Sequence, residues 1–203
     1  NHSSGKQGFA LAAAAAEAGA RVTLIAGPVS LETPPGVDRV DVESAVEMLD
    51  AARTATAAAD VFIGVAAVAD YRPASAADRK IKRAGTGETM DVHLLANPDI
   101  IATLAAERPD LFCVAFAAET HDLIAHARSK LERKRVALVV ANDVSDRSIG
   151  FGSDDNGVTL VDAGGEQVLE KTSKEALSRR LVEEIALRLD TAGSRRIPEG
   201  KAS

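Results

Sequence analysis

Aromatic rings are scarce in this 203-residue chain: five Phe, one Tyr and no Trp. A core without large rings must be filled by small and branched aliphatics, and 46% of the residues are hydrophobic, alanine prominent among them. Such side chains suit helices packed closely on a parallel sheet. Cysteine is almost missing. Cys113 stands alone, which excludes an internal disulfide, and its apolar setting (Leu111, Phe112, Val114, Ala115, Phe116) reads as a small buried hydrophobe in a reducing, cytoplasmic protein. The four histidines (His2, His93, His121, His126) show no paired ligand spacing, so no structural zinc site is expected. No apolar run reaches the length of a membrane span and no secretory signal is visible, so no membrane partner is expected. Positive charge is in deficit, with a formal net charge of −6. That balance argues against nonspecific nucleic-acid binding. An acidic chain that binds a polyanion must gather its few cations locally.

What is present alternates between helical and extended patterns. Lys6 to Ala18 is alanine-rich and favours a helix closed by Gly19, and Arg21 to Ala26 reads as a strand. Asp38 to Val42 is a short strand, Glu43 to Ala59 a helix, and Val61 to Val65 a buried strand. Met90 to Leu95 reads as extended, and Asn97-Pro98-Asp99 opens a helix reaching about Arg108. Phe112 to Phe116 and Val136 to Ala141 are apolar strands around a helix near Asp122 to Arg135. Alternating segments at Val158 to Val161 and Gln167 to Glu170 flank Gly164-Gly165, a hairpin signal. Ser173 caps a last helix to about Leu189, with Leu177, Leu181, Ile185 and Leu189 on one stripe. The expected fold is a doubly wound, Rossmann-like, mostly parallel α/β sheet with a small antiparallel hairpin. Residues 1–190 form its single nucleotide-binding domain, and 191–203 a flexible polar tail. The chain enters its first helix directly from Asn1-His2-Ser3-Ser4-Gly5, so the first strand of such a unit is expected upstream.

Three polar features stand out, two at strand ends or helix starts and one on a helix face. Ala66-Ala67-Val68-Ala69-Asp70-Tyr71-Arg72-Pro73 follows a strand and reads as a loop carrying an acid and a cation, and Lys80-Ile81-Lys82-Arg83 adds a cationic cluster. In an open parallel sheet, ligands sit at that end of the strands. Ser3-Ser4-Gly5-Lys6 opens a helix and can present amides and hydroxyls to an anion, or serve as an ordinary cap. It is not a Walker A loop, since Gln7 follows the lysine. Lys130 and Lys134, one turn apart, share a helix face that is either solvated or astride a polyphosphate.

Read in order, these stretches resemble the phosphopantothenoylcysteine synthetases, which in bacteria usually form the C-terminal half of a bifunctional decarboxylase/synthetase. The resemblance rests on Asn-His-Ser-Ser-Gly-Lys at 1–6, Ala-Ala-Val-Ala-Asp-Tyr-Arg-Pro at 66–73 and Lys-Ile-Lys-Arg at 80–83. Asn-Pro-Asp-Ile at 97–100, Phe-Ala-Ala-Glu-Thr at 116–120, the Lys130/Lys134 pair and Ala-Asn-Asp-Val at 141–144 complete it. It implies a CTP-dependent ligase joining 4′-phosphopantothenate to L-cysteine through an acyl-cytidylate. Lys80 would stabilise the α-phosphate, and Asn1 would hold the acyl carbonyl. Asp70 would bind CTP or its metal, Asn97, Pro98, Asp99, Ile100 and Phe116 would surround the nucleotide, and Lys130 and Lys134 would meet the triphosphate. The resemblance also implies Mg²⁺ and a homodimer, for which the hairpin is a candidate contact. FMN is expected only on an upstream decarboxylase domain.

Two other readings compete. A short-chain dehydrogenase shares the helix–strand pattern of Lys6 to Gly27, but its Tyr-x-x-x-Lys pair is missing: Tyr71, the lone tyrosine, has Ser75 four residues on. A non-catalytic nucleotide-binding module would have no evident need for both Lys80 and Asn1.

Overall fold

Two apolar strands, buried on both faces, organise the molecule. The computed structural model describes residues 4–75, 79, 81, 89–119, 122–143 and 155–194. In chain order the elements are α1 (Lys6–Glu17), β1 (Val22–Ala26), β2 (Val37–Asp41), α2 (Ala45–Thr56), β3 (Val61–Gly64), β4 (Tyr71–Pro73) and β5 (Leu94–Ala96). There follow α3 (Ile100–Glu107), β6 (Phe112–Glu119), α4 (Leu123–Lys134), β7 (Leu138–Asp143), β8 (Asp155–Asp162), β9 (Gly165–Ser173) and α5 (Lys174–Ser194). The main sheet has the order β3-β6-β7-β8-β9. Its first three strands are parallel and the β8–β9 hairpin continues it antiparallel. This is the expected doubly wound, Rossmann-like sheet with its hairpin.

Alternation along the central strands decides which helix covers which face. Phe112 and Val114 of β6 and Leu138 and Val140 of β7 pack with Leu11 of α1 and with Leu177, Leu181 and Ile185 of α5. The intervening Cys113, Ala115, Val139 and Ala141 pack with Ile101 and Ala105 of α3 and Ala127 of α4. Small residues on this second face let the helices approach closely, as the shortage of rings suggests. Burial pushes the Cys113 thiol up to about 11, so it is a packing atom and not a nucleophile.

Local chemistry fixes the helix ends. Ser44 and Glu47 form a reciprocal capping box at the start of α2. Asp99 caps α3 through Ala102 N–H, and Ser173 Oγ accepts from Ala176 N–H at the start of α5. Gly19 takes a positive φ of 88° just past α1.

Three findings differ from the sequence expectation. The 66–73 segment is not all loop: Tyr71–Pro73 forms β4, an antiparallel ribbon with β5. Helix α5 runs on to Ser194, past the expected end near Leu189 and into the stretch assigned to the tail; residues 195–203 lie outside the described set. The parallel pair β1–β2 is not joined to the main sheet. Among the described residues β1 and β3 each pair on one side only, yet Ile25 of β1 and Phe62 of β3 pack on the same cluster of Leu49, Ala52, Ile100 and Leu104.

A polar network ties the hairpin to α5. Arg188 donates to Asp162 at 2.8 Å, to Gln167 at 2.9 Å and to Glu184, and Gln167 donates to Glu184 at 2.7 Å. Burial pushes the Asp162 carboxyl up, but Arg188 and the Gly164 and Gly165 amides together hold it below its ordinary value. Glu184 is likewise lowered, its burial outweighed by Arg188 and Gln167. A carboxyl lowered in the folded state contributes stability above its unfolded pKa, and that contribution is lost as the pH falls through the folded value. Arg188→Met should therefore cost about 1–3 kcal/mol near neutrality. Urea denaturation should show this gap to the wild type shrinking as the pH falls through and below the ordinary carboxylate range; a gap independent of pH would remove the network's electrostatic share.

Candidate functional site

The site is built where β3 and β6 end. After Gly64 the chain leaves the sheet and passes through Asp70 into the β4–β5 ribbon, which returns it to Asn97, Pro98 and Asp99 at the start of α3. A Cβ on Gly64 would lie 3.3 Å from Ile101 Cδ1, so the glycine lets α3 settle directly on β3. Asn97 closes the crossing. Its backbone N–H donates to Asp70 O at 2.7 Å and its Nδ2 to Ala69 O at 2.8 Å. Its Oδ1 accepts from Arg72 Nη1 at 3.1 Å, and the same nitrogen donates to Ala96 O at 2.7 Å.

The helix start next to this crossing carries a cation from α4. Lys134 Nζ lies 3.0 Å from Asp99 Oδ2 and 3.1 Å from Oδ1, while Asp99 also caps α3. One turn earlier, Lys130 Nζ donates to Phe116 O at 3.5 Å on β6. Three distant parts of the chain thus meet at one sheet edge: the Asp70 carbonyl meets Asn97, and two residues on Asp99 meets Lys134, with Lys130 and Phe116 nearby.

The loop before α1 approaches from the other face. Gly5 adopts φ 76°, and a Cβ there would meet Val29 Cγ1 at 3.2 Å and Leu31 Cδ1 at 3.3 Å, so only glycine fits this turn. Gly8 of α1 faces Val65 just beyond β3, which brings the start of α1 to the same edge. Two side-chain acceptors at this edge, Gln7 Oε1 and Asn142 Oδ1, are buried and have no hydrogen-bond partner among the described residues. The Asn142 position was quoted in the sequence as part of a motif without a role of its own.

Several expected site residues have other company. The Ile100 side chain is buried with Leu49 and Leu104, so it can offer a ligand only its backbone. The Asn97 carboxamide is engaged at both ends by protein groups. Phe116 packs partly against the α1/α5 face of the core. Asp70 is exposed, and Pro98 is half-buried. Asn1 and Lys80 lie outside the described residues. Arg72, to which the sequence reading gave no task, emerges as the link between ribbon and α3; its place in the motif was the only signal. Among the described residues no three His, Cys, Asp or Glu side chains converge on a metal position. Two shallow grooves lie elsewhere. One of about 270 Å³ is lined by Gly27, Asp41 and Glu47, and one of about 390 Å³ by Phe9, Leu31 and Lys174.

Comparison with known proteins places this arrangement. The profile of the DNA/pantothenate metabolism flavoprotein C-terminal domain matches residues 1–188. The coenzyme A biosynthesis bifunctional protein CoaBC of Vibrio vulnificus is 50% identical over 188 residues, 91% of this chain and 46% of that protein. Its Escherichia coli counterpart is 49% identical over 199 residues, 96% of this chain and 48% of that protein. The chain thus spans about half the length of the curated relatives it matches. A crystal structure of the C-terminal domain of CoaBC superposes with TM-score 0.78 at 33% identity, covering 94% of this chain and 86% of that one. Cab2, solved as a mutant with phosphopantothenate-cysteine, shares the fold with TM-score 0.77 at 18% identity, over 96% of this chain and 81% of its own.

The Asp99 carboxylate has two partners of different worth. Its side chain is 47% exposed, so the Lys134 pair contributes about 0–1 kcal/mol, while the cap is worth about 1 kcal/mol. Asp99→Ala should therefore destabilise the fold by about 1–2 kcal/mol, and Asp99→Ser, which keeps a capping oxygen, by well under half of that. Equal losses in urea denaturation would show the ion pair to dominate.

Proposed function

The chain belongs to the DNA/pantothenate metabolism flavoprotein C-terminal domain family, and from that premise we propose that it is a CTP-dependent ligase joining 4′-phosphopantothenate and L-cysteine. The observation that carries the reading is the convergence of Asp70, Asn97, Asp99 and Lys134 at one sheet edge, together with relatives named for coenzyme A biosynthesis.

The chemistry needs activation, because a carboxylate does not acylate an amine without a better leaving group. A carboxylate oxygen of phosphopantothenate bonds to the α-phosphorus of CTP, the bond to the bridging oxygen breaks, and pyrophosphate leaves. The cysteine amine then bonds to the acyl carbon, CMP departs with the bonding pair, and the amine's proton passes to solvent. Charge grows first on the α-phosphate and then on the acyl oxygen. Lys80 serves the first and the Asn1 side-chain amide the second, each fixed donor being worth roughly 3 kcal/mol. Lys130 and Lys134 meet the triphosphate, beside the α3 start. Nucleotide binding then exchanges the Asp99 partner of Lys134 for a phosphate oxygen.

Mg²⁺ fits the donor set in one way. The exposed Asp70 carboxylate would hold the ion together with phosphate oxygens of the nucleotide, and there it would neutralise phosphate charge. The dehydrogenase alternative gains nothing: Tyr71 is 62% exposed on the ribbon.

The reading includes a homodimer. The hairpin buries Val158, Leu160, Val161 and Leu169 in the core and leaves Val168 outside, whereas the ribbon segment exposes Tyr71, Val92, Leu94 and Leu95. The ribbon is therefore the better subunit contact.

CTP and phosphopantothenate should release pyrophosphate on incubation with the protein. Lys80→Ala should abolish the release, and Asn1→Asp should let the acyl-cytidylate accumulate, visible by mass spectrometry. Release that survives Lys80→Ala would strip that residue of its role.

A further inference from the structure

The ribbon that carries Asp70 has little of its own to hold it. β4 and β5 pair over three residues each, Tyr71 with Ala96, Arg72 with Leu95 and Pro73 with Leu94. One further ladder bond, from Ala74 N–H to His93 O at 2.9 Å, extends it. An isolated two-stranded ribbon this short is marginal in water. Its base must therefore be fixed by side chains, and the structure shows one that does so.

Arg72 reaches along the base of the ribbon to the turn that starts α3. Its Nη1 donates to Ala96 O at 2.7 Å and to Asn97 Oδ1 at 3.1 Å. Asn97 in turn donates from Nδ2 to Ala69 O at 2.8 Å and from its backbone to Asp70 O at 2.7 Å. With Oδ1 and Nδ2 both engaged, the carboxamide has one orientation, and 69–72 is bound to 96–97 as one unit. Two residues on, Asp99 caps α3 and holds Lys134. Loss of the guanidinium frees the Asn97 amide to turn and removes a side-chain donor from Ala96 O.

We propose that Arg72 is a positioning residue for the nucleotide: by fixing the Asn97 carboxamide between Ala69 and the ribbon, it sets the α3 start and Lys134 in the geometry that binds the triphosphate. The inference rests on the ligase reading, with CTP as the nucleotide. The acceptors of the Arg72 guanidinium are both protein groups, Ala96 O and Asn97 Oδ1. Its effect passes through Asn97 to Asp99 and Lys134, so it falls on nucleotide binding and not on the acyl acceptor.

The test uses steady-state kinetics with CTP and L-cysteine varied in turn. Arg72→Met should raise the KM for CTP about tenfold, with the KM for L-cysteine unchanged and kcat within about threefold, a loss equivalent to about 1.4 kcal/mol of nucleotide binding. Arg72→Lys, which keeps one donor but not the planar fork, should recover part of that loss and also serves should the Met variant melt below assay temperature. The double variant Arg72→Met with Asn97→Ala should be no worse than Asn97→Ala alone, since both act through one carboxamide. An unchanged KM for CTP in both single variants, with only the melting temperature lowered, would overturn the inference and leave the ligase intact. Equal rises in both KM values, or additive losses in the double variant, would overturn it as well. A wild type that shows no CTP-dependent turnover would bring down the ligase reading and this inference together.

Discussion

Double burial of β6 and β7 is the constraint on which the remaining structure depends. Val114, Leu138, Val139, Val140 and Ala141 have no exposed surface, so neither strand has a solvent face. Each such aliphatic side chain contributes about 1.5–3 kcal/mol on removal from water. No polar side chain can replace one along these strands without losing that contribution and adding an unsatisfied group. The strands can therefore carry chemistry only at their ends. The carboxyl ends are where the chain emerges from cover, and there Phe116, Asn142 and the 65–70 segment begin the polar part of the molecule.

At that edge the polar groups are largely arranged against one another before any ligand arrives. The Asn97 carboxamide, the Asp99 carboxylate and the Lys130 and Lys134 ammoniums each have a protein partner. This explains how two lysines one turn apart on α4 are tolerated. Their repulsion of a few tenths of a kcal/mol is offset because each meets a different acceptor, one on β6 and one at α3. It also explains how a chain with net charge −6 keeps a cationic corner. Helix α4 brings the ammoniums from one side and the α3 start adds the positive end of its dipole from another.

Much of this was legible in the sequence because it depends on short-range patterns. Apolar runs marked β3, β6 and β7, Gly164-Gly165 marked the β8–β9 hairpin, and Ser173 marked the start of α5. The misses have long-range causes. Asp70-Tyr71-Arg72-Pro73 carries a proline and two charges, which locally read as loop; only pairing with 94–96 makes it a strand, and Pro73 fits an edge strand because no partner needs its missing N–H. Helix α5 continues to Ser194 although Gly193 lies within it, since Leu189 and the Arg188 network hold the last turns to the core. The burial of Ile100 under α2 was invisible for the same reason: Leu104 is one turn on in its own helix, but Leu49, which closes the cluster, belongs to α2 far earlier in the chain. So was the task of Arg72, whose two acceptors lie more than twenty residues away.

The division between β1–β2 and the main sheet bears on how the two faces of the site communicate. Helices α1 and α2 cover β1 from opposite sides, and Ile25 and Phe62 share one apolar cluster, so the two sheets are already joined through side chains without a shared ladder. Backbone pairing is directional and register-specific, whereas apolar contact between β1 and β3 permits sliding. The α1 start is located by apolar packing of Gly5 on Val29 and Leu31 and by Gln7, whose Nε2 donates to Ser178 Oγ of α5 at 2.9 Å, while the α3 start is located by the hydrogen bonds of Asn97 to the ribbon.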